Sequence, residues 1–510
     1  MFAQVHSFGL WGLEAYPISI EVDVAGGLPA IAIVGLPDNA VKESKERIRS
    51  AVKNSGFQFP LERITVNLSP GDTKKEGPAF DLGIALGLLA ATGQVDAEAL
   101  KKFVICGELS LDGKIQPVDG TLIVASSIPQ NRFAGLIVPA ANAAQAACAR
   151  NISVYPARTL LEVVHFLNGT QTIHSFKADA SALLAPNVPA EADFSDVKGQ
   201  FHVKRGLEIA AAGGHNILLI GPPGSGKTML AQRITSILPE MTLAEALSTT
   251  KIHSLSGSVD NSHGLMRQRP FRSPHHTASD VAMVGGGSVP RPGEVTLAHN
   301  GVLFLDELPE FDRNVLEALR QPLEDRYVTV SRAARTIRFP SSFMLVGAMN
   351  PCPCGWYTDR RKPCRCSSYQ IERYLARISG PLLDRIDIHL VVASLPPEEI
   401  LSQTPSESSA QIKERTCAAR ERQLGRLAAE NLHANAQMNH RQLKKHCPLS
   451  EENKALLKSA IEELGLSARA YDKVIKVART IADLEENETI QPPHLAEAIQ
   501  YRYLDRHWWG

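Results

Sequence analysis

Apolar and polar positions follow three regimes along the chain. Up to about residue 170, short β-like runs alternate with stretches of helical spacing. The runs include Ile18 to Val24, Ile31 to Val34 and Ile64 to Leu68; the helical stretches are Ala40 to Asn54 and Phe80 to Ala91. A period of two lines one face of a strand, whereas apolar recurrence at three and four residues lines one face of a helix. Residues 1–170 therefore predict a mixed α+β domain with turn signals between its elements. Residues 171–193, rich in Ala, Ser and Pro and without periodicity, read as a linker. Residues 194–390 alternate strands and helices, the pattern of a parallel sheet covered by helices. From about 391 onward strand signals stop. Lys454 to Leu466 and Ala468 to Glu486 keep a 3.6-residue period, so residues 391–510 predict a helical domain. No repeat of fixed period runs through the chain.

The middle stretch holds the strongest chemical signal. The apolar run Ile217 to Ile220 breaks into Gly221-Pro222-Pro223-Gly224-Ser225-Gly226-Lys227-Thr228, and a helical segment starts at Lys227. This is a strand, a phosphate loop and a helix in the order that nucleotide binding requires. Glycines let successive N–H groups curl around phosphate oxygens, and the helix N-terminus adds partial positive charge. Lys227 is placed to reach the β- and γ-phosphates of ATP, and Thr228 to hold Mg²⁺. A second strand, Val302 to Leu305, ends in Asp306 and Glu307, suited to the Mg²⁺ shell and to polarising the attacking water. A third, Phe343 to Met349, ends in Asn350, which could orient that water. Phosphoryl transfer also needs positive charge on its transition state, for which Arg385 and Arg469 are candidates; on the residues alone, either could equally be a surface ion-pair partner.

Composition narrows the setting. The chain has 510 residues, enough for about three domains by the usual length relation. Its formal net charge is zero, so nothing draws the whole molecule to nucleic acid, and such contact requires local basic patches or a ring that concentrates them. No apolar run approaches the ~18 residues of a membrane span, and the N-terminus lacks a basic-then-apolar leader. Eight cysteines in a long chain without an export signal suggest a reducing, cytoplasmic setting. Four of them cluster as Cys352-Pro-Cys354 and Cys364-Arg-Cys366. They could hold a structural Zn²⁺ in a tetrahedron, although one-residue spacing within each pair departs from the usual two to four. Reduced free thiols and a disulfide are the alternatives. Arg360, Arg361, Lys362 and Arg365 share this loop with Trp356 and Tyr357, a mixture that suits phosphate contact and base stacking or simply a solvated loop.

Taken together, FSDVKGQ, GPPGSGKT, RPFRSPHHTAS, PRPGEVTLAHNGVLFLDELPEF, GAMNPCPCG, LLDRIDIHL and GLSARAYDKVIKVARTIADLE resemble the magnesium-chelatase-subunit-I-like branch of AAA+ ATPases. More closely, nearly the whole chain resembles the bacterial competence family called ComM or YifB. The resemblance implies that Lys227, Thr228, Asp306 and Glu307 are the two Walker motifs and Asn350 is sensor 1. It implies that Arg385 is an arginine finger acting on a neighbour's ATP, and that Arg469 is sensor 2 on a helical lid. Phe194 to Gln200, with Val197, Gly199 and Gln200, would line the adenine pocket. A finger acting in trans implies a ring, usually a hexamer.

Residues 1–170 resemble the proteolytic domain of Lon protease through Ser69 to Gly93 and the Gly107 to Gly120 segment. That domain uses a Ser–Lys dyad. Here Ala79 stands at the serine position and Val124 at the lysine position, and neither can do nucleophilic or proton-transfer work. A Lon-like fold without peptidase activity is the expectation. YVTVSRAARTIRFP reads as a hairpin; by resemblance to related helicases it would project into a central channel, with Arg332 and Arg335 near DNA. Subunit-interface contacts are the alternative for these arginines. The basic segment Arg267 to His276 leans the same way. The expectation is a cytoplasmic hexameric ATP-driven DNA motor, with single-stranded or branched DNA and recombination or competence proteins as partners. Its named function would be branch migration during natural transformation. The competing class is a chelatase-type remodelling ATPase, although the chain has no D-x-S-x-S metal-adhesion motif.

Overall fold

The computed structural model describes every residue except 178–191, 258–263, 287–290, 332–335, 358, 360, 397, 400–405, 431, 465–466 and 503–510. Most of the expected 171–193 linker, and Arg332, Arg335 and Arg360, lie outside the described residues. The chain divides into two compact units, Met1–Pro186 with Thr242–Arg267, and Asn187–Met241 with Gln268–Gly510.

The first unit is built on a seven-stranded mixed sheet. Its strands are β1 (Phe2–Trp11), β2 (Glu14–Ala25), β3 (Ala30–Val34), β4 (Arg63–Ser69), β5 (Phe103–Ile105), β6 (Gly135–Pro139) and β7 (Val154–Ala157), in the spatial order β3-β4-β2-β1-β5-β6-β7. The two-residue period is visible in β2, where Ile18, Ile20, Val22 and Val24 are buried, and in β4, where Ile64, Val66 and Leu68 are buried. Helix α1 (Asn39–Asn54) is capped by Asp38, whose side chain accepts from Val41 N at 2.8 Å. Helix α2 (Asp81–Ala91) is buried along its whole length, as a helix apolar on all sides must be. Gly83 and Gly87 let it sit against the sheet, since a Cβ there would come within 2.7 Å of Ile20 and 2.8 Å of Val22. Ala79 lies in the single 3₁₀ turn that enters α2, and Val124 is buried in α3 (Thr121–Ser127). The helix Leu243–Leu255 falls within the 194–390 stretch but belongs to this unit. There Ser254 Oγ accepts from Gly120 N at 3.1 Å and donates to Gln145 Oε1 at 3.0 Å.

The second unit contains a five-stranded sheet in which every pairing is parallel. Its strands are β8 (Ile217–Ile220), β9 (Phe271–Arg272), β10 (Val302–Leu305), β13 (Met344–Met349) and β14 (Ile388–Val391), in the order β9-β10-β13-β8-β14. Strands β11 (Tyr327–Ser331) and β12 (Thr336–Pro340) form the expected hairpin, with Tyr327 opposite Pro340 and Ser331 opposite Thr336. Helix α4 (Phe201–Gly213) precedes β8, and α5 (Lys227–Ile237) follows the glycine loop. After β14 the described residues are helical, in α6 (Ser409–Leu427), α7 (Glu451–Leu464), α8 (Ala468–Leu484) and α9 (Pro492–Gln500) among others. Helix α8 turns Val474, Ile475, Val477, Ala478 and Ile481 into the core shared with β8, β13 and α6. No helix among the described residues is long and apolar enough to cross a membrane.

Candidate nucleotide site and cysteine centre

Parallel strands deliver their carboxyl ends to one edge of the sheet, where ligands of open α/β sheets bind. Ile220 pairs with Met349, so Gly221 and Asn350 leave the sheet side by side. Lys227 Nζ donates to the carbonyls of Gly221 at 2.7 Å and Pro222 at 2.9 Å, and to Asn350 Oδ1 at 3.2 Å. Burial lowers the pKa of Lys227, while Asp306 and Glu307 oppose that shift. Gly224 and Gly226 take φ of 76° and 90°, left-handed values that favour glycine. At Gly221 the constraint is space: a Cβ would lie 2.2 Å from the carbonyl oxygen of Val392. Ser225 is buried within the loop.

Thr228 Oγ1 donates to Asp306 Oδ2 at 2.7 Å. The hydroxyl and carboxylate expected to share a Mg²⁺ shell are thus already adjacent, and the donor set fits that ion. Glu307 has φ 52°, a left-handed conformation costing a non-glycine residue roughly 1–2 kcal/mol. Its N–H donates to Asp306 Oδ1 at 2.9 Å. Such strain concentrates at functional sites. His276 Nδ1 lies 3.7 Å from Glu307 Oε2, a contact that the basic run 267–276 does not reveal in the sequence, because its partner lies 31 positions further along. In that segment Arg272 is a bidentate partner of Glu294 at 2.6 and 2.7 Å, and Arg269 donates to the carbonyls of Pro239 and Asn300. Both guanidinium groups are thereby engaged inside the fold.

Of the expected adenine-pocket segment, Val197 is buried, while Gly199 and Gln200 take φ of 51° and 54°. Gln200 Nε2 donates to Ala393 O at 2.5 Å, and Lys204 Nζ holds the segment through Val197 O at 2.7 Å.

Arg385 and Arg469 are brought together, but away from the glycine loop of their own chain. Arg385 precedes β14, which runs parallel to β8, so it stands where β8 begins rather than where the loop leaves. The four-residue strand separates the two ends by roughly 13 Å. Arg385 donates to Pro381 O at 2.6 Å and pairs with Glu324. Arg469 Nη1 lies 3.9 Å from Asp384 Oδ2, one residue from Arg385.

The thiols of Cys352, Cys354, Cys364 and Cys366 all lie within 4.8 Å of one another. Sulfur separations of 3.4, 3.7 and 3.6 Å among the first three are close to the ~3.8 Å edge of a tetrahedron with Zn–S bonds of about 2.3 Å. Cys352 is buried, and the backbone N–H of Arg365 lowers the pKa of Cys354. This donor set fits Zn²⁺. Gly355, with φ 81°, packs so tightly that a Cβ would sit 2.5 Å from Pro223, which places the cysteine loop directly against the glycine loop. Lys362 Nζ lies 4.7 Å and the Arg361 guanidinium 5.9 Å from the centre of the Trp356 ring; Arg361 also pairs with Asp359 at 3.0 Å.

A glycine loop flanked by Asp306, Glu307 and Asn350 on a parallel sheet, followed by a helical region, defines a nucleotide-binding protein of the AAA+ class. Family models confirm the class: magnesium chelatase, subunit ChlI, over residues 193–400; subunit ChlI of Mg-chelatase over 20–142; and the ChlI C-terminal model over 406–502. The chain is 47% identical over 509 residues to the competence protein ComM of Haemophilus influenzae, covering 99% of this chain and 98% of that protein. It is 47% identical over 508 residues to YifB of Salmonella typhimurium, covering 99% of this chain and 97% of that one. YifB of Escherichia coli is 46% identical over 505 residues, covering 98% of this chain and 97% of that protein. The chain belongs to the ComM/YifB family of magnesium-chelatase-like AAA+ ATPases.

Proposed function

We propose that this protein is a ring-forming, ATP-driven DNA motor that promotes branch migration while incoming DNA is integrated. The observation that supports the ring is the placement of Arg385, and of Arg469 through its contact with Asp384, at the end of the sheet opposite the chain's own glycine loop. Arginines there serve hydrolysis only on a neighbour's nucleotide, as a cyclic, head-to-tail assembly provides. Lys227 and Asn350 would meet the γ-phosphate, Thr228 and Asp306 would hold Mg²⁺, and Glu307 would polarise water. Val197, Gly199 and Gln200 would border the base.

Support for DNA comes from the name of the Haemophilus relative, a competence protein, and from two features of this chain. The hairpin β11–β12 precedes the strand that ends in Asn350, and the cysteine loop carries Trp356 between cations. We propose that Zn²⁺ holds Cys352, Cys354, Cys364 and Cys366 and so presents Trp356 and Arg361 to the sugar–phosphate backbone, to which Arg360, outside the described residues, is expected from the sequence to add a contact. Bound zinc supplies a fixed cross-link there and no chemistry of its own. Arg332 and Arg335 of the hairpin turn are proposed to add phosphate contacts in the channel. The first unit, with Ala79 and Val124 at the dyad positions, is read as a Lon-like domain without peptidase activity, and a cytoplasmic hexamer working with recombination or competence proteins is the proposed setting.

The deciding measurement is ATP hydrolysis by the full chain with single-stranded, forked, three-strand and four-way DNA at ~100 mM salt, where phosphate contacts still count. A several-fold rise with DNA and movement of a branch point are expected. No binding and no change in rate overturn the motor reading. They would favour a chelatase-type remodelling ATPase, a reading supported by the magnesium-chelatase models over 193–400.

A further inference from the structure

Away from the glycine loop, a group of buried charge lies between the residues that precede β14 and helix α8. Asp387 Oδ1 meets Lys473 Nζ at 2.7 Å, and both side chains are almost fully buried. Asp387 Oδ2 accepts from Asn216 N at 3.1 Å and lies 3.4 Å from His215 Nδ1. His215 Nε2 continues to Thr480 Oγ1 at 2.8 Å, a second contact with α8. Asn216 donates through Nδ2 to Arg385 O at 2.9 Å and accepts from Leu345 N at 2.8 Å, so one side chain ties the Arg385 backbone to the start of the strand that ends in Asn350. Arg326, Lys476 and His389 also respond to Asp387, and buried Arg502, which donates to Ile386 O at 2.5 Å, acts on Lys473.

Ion pairs taken out of water are costly unless geometry and further hydrogen bonds compensate, and apolar residues of the same volume often pack as well. The use of such a pair is therefore positional. Asp387 is two residues from Arg385. Lys473 is four residues from Arg469, one helical turn along the same face of α8. The segment Asp384–Asp387 thus meets α8 twice, at Arg469–Asp384 and at Lys473–Asp387, and only the second contact is buried.

We propose that the buried Lys473–Asp387 pair is a positioning element that locks helix α8 to the segment before β14, so that Arg385 and Arg469 reach the neighbouring subunit as one rigid block. This rests on the ring reading above. The pair touches no nucleotide; it sets the relative placement of two guanidinium groups. Misplacement of such groups by about 1 Å is enough to cost on the order of 100-fold in rate. Burial lowers Lys473 to about 8 and Lys473 holds Asp387 well below the usual carboxylate range, so the pair is charged at neutral pH.

The test uses mixed rings of the full chain. Lys473→Met is expected to bind a fluorescent ATP analogue as the unaltered protein does, yet to hydrolyse ATP at least about tenfold more slowly when alone. Mixed with Lys227→Ala subunits, whose own site is dead but whose arginines are intact, Lys473→Met subunits should regain activity. Their own glycine loop is sound, and the neighbour supplies the block. A role confined to the fold of the altered subunit gives no such rescue. Arg385→Ala mixed with Lys227→Ala is the control. If the control is not rescued, the ring reading fails. If the control is rescued and Lys473→Met is not, or if Lys473→Met alone hydrolyses at the full rate, the positioning proposal is overturned. Should Lys473→Met fail to fold, Asp387→Asn, which keeps an acceptor for Asn216 and Lys473, goes through the same mixtures and reads the same outcomes.

Discussion

At Lys227 one ammonium group bridges two loop carbonyls and Asn350, ready to exchange those acceptors for phosphate oxygens. Lys227→Ala should lower ATP hydrolysis by about 100- to 1,000-fold, the usual loss when a preorganised donor to the transition state is removed. Steady-state phosphate release checks this, and near-normal turnover would mean that the site is misassigned. His276 stands beside the neighbouring carboxylate of Glu307. Its contact with Glu307 is partly exposed, and such pairs are worth no more than about 1 kcal/mol. If the contact restrains Glu307, His276→Ala should raise DNA-independent hydrolysis by up to about fivefold, whereas a fall would mean that the imidazole aligns the carboxylate for catalysis. Asp81 in the first unit offers a pH test. Burial pushes it up to about 6, although Arg47 Nε donates to it at 2.8 Å. A carboxyl raised in the folded state keeps its proton where the unfolded chain has lost it. Folding stability is therefore highest below about pH 4 for this group and falls as pH rises through about 6. Asp81→Asn should remove that contribution, at most about 1.4 kcal/mol per pH unit, from urea unfolding curves recorded between pH 4.5 and 7.

Between elements, the contact with most consequence joins two loops. Gly355 lies against Pro223, so the cysteine loop and the glycine loop cannot rearrange independently. Stripping zinc with a chelator, or Cys364→Ser, should therefore weaken DNA binding and also raise KM for ATP several-fold. Metal analysis under reducing conditions should return about one Zn²⁺ per chain; a value near zero removes the zinc proposal. The strand ends that carry Gly221, Asp306 and Asn350 were legible in the sequence, because an apolar run stopped by Gly, Asp or Asn is a local signal. So were α1, α2, α8 and the β11–β12 hairpin. Partners distant in sequence were not legible. His215 and Thr480 touch across 265 residues, and periodicity reports that a position is buried without naming what buries it. For the same reason nothing local marks Lys473, on an amphipathic helix, as a buried ion-pair partner. The helix Leu243–Leu255 likewise gave no sign that Ser254 would bond to Gly120 and Gln145 in the first unit. The arginines of 269–272 looked like a nucleic-acid patch because their acceptors, Pro239 O, Asn300 O and Glu294, are supplied by other parts of the chain.

For the molecule as a whole, the two candidate arginines stand apart from the groups expected to hold ATP, Mg²⁺ and the attacking water. Everything expected to hold ATP and Mg²⁺ sits at one edge of the sheet: Lys227, Thr228, Asp306, Asn350 and the Val197–Gln200 segment. Arg385 and Arg469 stand at the other. With a formal net charge of zero, no long-range repulsion opposes assembly, and a ring would concentrate the few basic side chains around its channel. On the ring reading, an isolated chain should bind nucleotide but hydrolyse it poorly, because Arg385 and Arg469 would serve the next subunit's nucleotide. Diluting the protein below the concentration at which rings persist should lower turnover per chain by tenfold or more, given the ~10³-fold or greater worth of an arginine finger. Fluorescent-nucleotide affinity should change little over the same range. Arg385→Ala should be slow at every concentration and show no such dependence. Full turnover by chains that sedimentation shows to be monomeric would require Arg385 or Arg469 to reach its own glycine loop, across the length of β8, and would dismantle the ring argument at its geometric root.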